Sequence, residues 1–194
     1  MSVDELALAG EEKVVVPPDG YPDEPVYEVI DGVRVELPMS ARNDFLANEA
    51  TQELAALIRP RRMGQVVHEM LFELPLADRS RRRRPDIAFV SLDRWAADRP
   101  LPERGNHWPV APDLAVEFIS PTDEVRELMD KLRDYFDAGV RQVWVVHPDA
   151  RLVQVYESLA LARGFHESAE IDGGDILPGI RVPVAVMLPP RPVA

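Results

Sequence analysis

The sequence predicts an α/β fold: a mixed sheet flanked by helices, with an N-terminal β-hairpin. Three observations carry this expectation. Tyr27-Glu28-Val29-Ile30 and Val33-Arg34-Val35-Glu36-Leu37 flank Asp31-Gly32, a dipeptide suited to the positive φ angles of a type I′ turn. Residues 113–119 are almost wholly apolar, as in a strand covered on both faces. A helical pattern over 123–138 then leads into another strand at 141–146, a crossover unit that implies a parallel pair and a right-handed connection.

Residues 1–22 mix acidic side chains with a proline-broken Val14-Val15-Val16-Pro17-Pro18 and read as a loosely attached arm, leaving 23–194 as one domain. After the hairpin, 40–58 is a helix with Leu46, Ala50, Leu54 and Leu57 at helical spacing and Asn43 or Asp44 as N-cap. Residues 65–74 alternate in character and read as one strand. An arginine-rich connection leads to a strand at 86–91, and 93–111, with Trp95, Trp108 and three prolines, reads as an irregular loop whose tryptophans most simply cap the core. The helix at 123–138 takes Thr122 as its cap and Gly139 as its stop. Strands at 152–156, 164–170 and 181–187, with a turn at 172–175, complete the order.

At 194 residues and 46% hydrophobic the chain can bury a proper core. It has no cysteine, which removes disulfides, thiolate zinc sites and cysteine nucleophiles together. No apolar run approaches a membrane span and the N-terminus lacks the basic-then-apolar order of a signal peptide, so a cytoplasmic protein with no membrane partner is expected. A net charge of −12 argues against nonspecific coating of nucleic acid, because the summed field repels phosphate. A local site is still permitted: within a Debye length of roughly 8 Å, clustered arginines outweigh distant carboxylates. One such cluster, Arg81 to Arg84, runs directly into Pro85-Asp86. Its plain alternative is a solvated loop.

The chemistry centres on two lone carboxylates and a rare lysine. Asp86, Ala88 and Val90 share one face of their strand, while Ala115, Glu117 and Ile119 share one face of theirs. If those strands pair, the two acids meet, and two like charges in a poorly hydrated place need a cation or a proton between them. Two carboxylates without histidine suit Mg²⁺ or Mn²⁺ better than zinc. Lys131 is one of two lysines beside twenty arginines. Where arginine serves most cationic purposes, a lysine suggests a site that needs a compact ammonium able to shift its pKa, which a guanidinium cannot do. Taking Val125 as the centre of the helix's buried stripe, Lys131 falls at its rim, within reach of Glu117. The rival reading is a surface pair with Glu127, four residues earlier.

Arg84-Pro85-Asp86-Ile87-Ala88-Phe89-Val90, Pro112-Asp113-Leu114-Ala115-Val116-Glu117-Phe118-Ile119-Ser120-Pro121, Lys131-Leu132 with Tyr135 and Ala138-Gly139-Val140, and Val143-Trp144-Val145-Val146 follow one another in an order that resembles the Uma family of bacterial restriction endonucleases. That family lies in the PD-(D/E)XK phosphodiesterase superfamily. With the Asp31-Gly32 hairpin and Leu177-Pro178-Gly179, the likeness spans roughly residues 25 to 188.

The resemblance implies a restriction-endonuclease-like fold and a metal-dependent endonuclease acting on DNA, with Asp86 and Glu117 as metal-binding acids and Lys131 as the catalytic lysine. The superfamily's usual lysine position, two residues after the glutamate, is Ile119 here, so the cation would come from the next helix. Glu36 is the candidate for a further metal-binding acid, with Glu53 as substitute. Asn43 and Asn48 stand where many relatives carry an early helical histidine. Arg82, Arg83 and Arg84 are the expected phosphate contacts, Asp113 reads as a strand-entry residue, and a homodimer is expected by family analogy. The alternative is a nuclease-fold binding module that has lost turnover.

Overall fold

The computed structural model describes residues 26–37, 40–103, 106–120 and 124–188. The arm expected over 1–22 and the cap expected at Thr122 lie outside them. β1 (Tyr27–Ile30) and β2 (Val33–Glu36) form the hairpin, and Asp31 and Gly32 both take positive φ, 50° and 83°, as a type I′ turn requires. α1 spans Ala41–Ile58. Its cap is Ser40 rather than Asn43 or Asp44: the Ser40 hydroxyl accepts from the Asn43 amide, so the helix starts a turn earlier than those candidates would place it.

The expected strand 65–74 is two. β3 (Gly64–His68) ends where Glu69 turns to φ +47°, and β4 (Phe72–Glu73) joins another sheet. The arginine run is itself a strand, β5 (Arg81–Arg83), rather than a loop. β6 (Ile87–Ser91), β7 (Leu114–Phe118), α2 (Val125–Asp137), β8 (Gln142–His147), β9 (Leu152–Ser158) and β10 (Leu161–His166) follow, then the small β11 (Glu170–Asp172) and β12 (Arg181–Pro183). Residues 184–187, expected to continue a strand, form a 3₁₀ turn instead.

The main sheet has the order β10-β9-β8-β7-β6-β3, with β7 and β8 parallel across α2 and the other neighbours antiparallel. Period-two alternation divides its side chains between two cores. Ile87, Phe89, Leu114, Val116, Phe118 and Trp144 pack against Leu46, Leu54 and Ile58 of α1 and the C-terminal Leu177 and Val182. Ala88, Val90, Ala115, Val143 and Val145 face the other way, toward Leu132 and Tyr135 of α2 and toward Phe72, Trp95 and Trp108. Trp95 and Trp108 are buried edge to face, 5.3 Å between centroids, so the irregular loop does cap the core.

The second sheet, β2-β1-β5-β4, is antiparallel throughout. It places Glu28 of β1 and the arginines of β5 beside α2. No helix among the described residues is long and apolar enough to cross a membrane.

Candidate active site

The β6–β7 register pairs Ile87 with Val116 and Ala88 with Ala115. Continued by one residue, it sets Asp86 opposite Glu117, and both lie on the α2 face of the sheet. Asp86 ends its approach against the β7 backbone, where its Oδ2 accepts from the Phe118 amide at 2.6 Å. Burial first, and then the charge of Glu117, push the Asp86 carboxyl up to about 7, against the opposing pull of Lys131.

Glu117 is held at both oxygens. The Tyr135 hydroxyl donates to Oε1 at 2.6 Å and the Lys131 ammonium to Oε2 at 2.8 Å. Lys131 and Tyr135 are one turn apart on α2, so a single helix face delivers both donors. Lys131 also stands 3.7 Å from Glu28, and no ion pair joins it to Glu127 among the described residues. Burial opposes its charge, but Glu117 and Glu28 outweigh burial and hold the ammonium above its ordinary range. Lys131 is therefore a fixed cation near neutral pH, not a base. Burial and the same carboxylates push Tyr135 well above the usual phenol value, so it stays a donor.

α2 is rotated relative to the expectation centred on Val125. That residue is 76% exposed, and the buried line runs through Leu132, Tyr135 and an acid, Asp134. The reason lies in β5. Arg81 and Arg83, two apart on one strand, face the same way, and both donate to Asp134 Oδ2. Arg79 supplies a third bond, to Oδ1. Arg83 continues to Glu28 at 2.6 Å, so Glu28–Arg83–Asp134 forms a buried chain of charges behind the site.

Glu28 is the acid that the sequence reading missed. It is 2% exposed, accepts from the Arg84 amide, and lies against both Lys131 and Arg83. Although burial works against ionisation, Lys131 and Arg83 hold its carboxyl below the ordinary range. The signal was present: a lone carboxylate in an otherwise apolar strand, the same pattern that singled out Glu117. Glu36 is exposed at the end of β2 with no ion pair among the described residues, and Glu53 is exposed on α1. Asn43 reaches the site's edge and donates to the Phe118 carbonyl at 3.2 Å, while Asn48 is exposed. Asp113 accepts from the Ser91 amide and from Arg94, which accords with a strand-entry role.

The arginines divide. Arg82 points to the other side of β5 and pairs with Glu73 at 3.1 Å. Arg83 is committed to Glu28 and Asp134. Arg84 donates to the carbonyls of Tyr27 and Glu69 and lines the small cleft, about 130 Å³, into which Asp86, Glu117 and Lys131 open together with Glu124 and Glu127. The oxygen-rich, histidine-free donor set and the buried, raised Asp86 beside Glu117 fit a hard divalent cation, for which Asp86 and Glu117 are the ligands available.

Asp86→Asn tests the raised carboxyl. The folded value lies above the unfolded one, so between them the native state binds more protons and stability falls as pH rises from about 4 through about 7. Asparagine keeps the acceptor for Phe118 and does not titrate. In metal-free urea melts the variant should gain roughly 3 to 4 kcal/mol on the native protein across that window. A difference that stays flat with pH would remove the effect.

Among known proteins, the model of the Uma2 family, described as "Putative restriction endonuclease", matches residues 18–185. A solved structure titled as a putative nuclease belonging to DUF820, from Anabaena variabilis, superposes with a TM-score of 0.69 at 19% identity, covering 84% of this chain and 89% of that one. At that identity the likeness speaks for the fold alone. No curated protein matches the chain.

Proposed function

The chain belongs to the Uma2 family, and from that premise we propose that it is a metal-dependent endonuclease that hydrolyses DNA phosphodiester bonds. The observation that carries the reading is the meeting of Asp86, Glu117 and Lys131 in one cleft from three separate stretches of chain. Asp86 and Glu117 would hold Mg²⁺ or Mn²⁺. A cation held there neutralises charge at the phosphoryl group and acidifies water.

The protein's own part is positional. Tyr135 fixes one oxygen of Glu117 and leaves the carboxylate little freedom to rotate. Lys131 holds a permanent positive charge at the rim, where it can hydrogen-bond the attacking water or a non-bridging phosphate oxygen as charge builds in the transition state. Glu28 steadies Lys131 from behind. Arg84 is the arginine suited to a phosphate contact, whereas Arg82 and Arg83 serve the fold. Cutting both strands with a single site of this kind needs two copies, which makes a homodimer the working assembly.

A second reading keeps one observation on its side. Both oxygens of Glu117 are already satisfied by Tyr135 and Lys131, as in a purely structural ion pair. That would suit a binding module without turnover. Calorimetric titration of Mg²⁺ and Mn²⁺ into the native protein and Asp86→Ala, followed by plasmid nicking, separates the two. Metal binding that Asp86→Ala abolishes, together with nicking, supports the nuclease; the same binding without nicking favours the module.

Lys131→Met should leave folded protein that binds metal and nicks at least about tenfold more slowly, a loss of about 1.4 kcal/mol in transition-state stabilisation. Equal rates would return Lys131 to a structural role.

A further inference from the structure

We propose that Asp44, His68 and Glu69 form a second cation site, one for a divalent transition-metal ion. Asp44 lies in the first turn of α1, His68 ends β3, and Glu69 follows it. One ligand atom from each lies within 4.8 Å of the other two. Among the described residues no other histidine or carboxylate group of three or more meets that condition.

The imidazole supplies the second observation. His68 Nε2 is shielded from solvent yet has no hydrogen-bond partner, and Asp44 Oδ1 stands 3.6 Å away. A buried imidazole nitrogen left unpaired is unfavourable. A metal ion placed between the histidine and the carboxylates would satisfy it, where the direct contact is too long to do so.

Two carboxylates and one imidazole make a borderline donor set. Nitrogen ligation favours zinc and the later first-row ions over Mg²⁺, so this site and the all-oxygen pair Asp86–Glu117 would choose different metals. Its place also suggests its use. The Glu69 amide donates to the Asp86 carbonyl at 3.0 Å, and Arg84 donates to the Glu69 carbonyl at 2.5 Å. An ion on Glu69 would tie the start of α1 to the backbone that carries Asp86. It would hold one wall of the cleft without entering the reaction.

Zn²⁺ is the probe, titrated calorimetrically in millimolar Mg²⁺ with ring resonances of His68 followed by NMR. One Zn²⁺ per chain should bind with a shift of the His68 signals. His68→Gln and Asp44→Asn should each weaken it at least about tenfold, and Glu117→Gln should leave it within about twofold. Asp44 is 45% exposed in its side chain, so Asp44→Asn tests the site even if His68→Gln fails to fold. The proposal is overturned if the native protein takes up no Zn²⁺, if Asp44→Asn binds it as the native protein does, or if Glu117→Gln abolishes it. The site does not rest on the nuclease reading: nicking without Zn²⁺ uptake would remove this site alone, and Zn²⁺ uptake without nicking would count against turnover alone.

Discussion

Glu117→Gln should abolish metal-dependent nicking while leaving the fold intact. The amide matches the carboxylate in shape, and the Tyr135 hydroxyl can turn from donor to acceptor while the Lys131 ammonium keeps the remaining oxygen. What disappears is a unit of negative charge opposite Asp86. Without it the pair that would hold the cation becomes a single acid, and Lys131 loses the carboxylate that contributes most to holding its proton. Cleavage should drop by at least about a thousandfold, roughly 4 kcal/mol in the barrier, with Mg²⁺ affinity falling in parallel. Far-ultraviolet circular dichroism should match the native protein. Nicking within tenfold of native by this variant would mean that Glu117 belongs to the structure and not to the chemistry.

Arg83→Met should cost the fold about 3 to 5 kcal/mol, the range for removing one partner of a buried ion pair. Arg83 donates through Nη1 to Glu28 and through Nε and Nη2 to Asp134, and both acids are almost fully buried. Methionine fills much of the volume but leaves two carboxylates facing each other across an apolar gap. Arg79 and Arg81 still serve Asp134, and the Arg84 amide and Lys131 still serve Glu28, so the cost stays within that range. Lysine should not rescue the variant, since a single ammonium cannot reproduce a planar fork aimed at two acids. Adding Asp134→Leu should recover part of the loss by removing one stranded charge. Urea denaturation of the three variants measures this, and a loss below about 1 kcal/mol for Arg83→Met would mean that water, not Arg83, satisfies those acids.

How far the site was legible depends on the kind of signal each residue carries. Asp86 and Glu117 stood out because a charge inside an apolar strand breaks a strong local pattern; strand period gave each its face, and the β6–β7 register made the two faces one. Glu28 carried the same signal more faintly in a four-residue strand. The arginines carried none: in a run of four identical charges the alternation of a strand is invisible to hydropathy, so β5 read as a loop and its residues as ligands for phosphate. Asp134 was similarly hidden, because an acid on a helix is ordinarily solvated and nothing local reveals three arginines converging on it. That hidden ion cluster is also why α2 turns Val125 outward.

By itself, the sequence determined the hairpin, the parallel crossover, the two faces of the main sheet and the family to which the chain belongs, because these follow from turn chemistry and from periodic patterns a few residues long. Only the tertiary structure decided which charges meet. Glu28 comes to Lys131, Arg83 to Asp134, and His68 to Asp44 across separations of 24 to 103 residues, and pairing at that range is set by the register and packing of whole elements. Local pattern carries no trace of it.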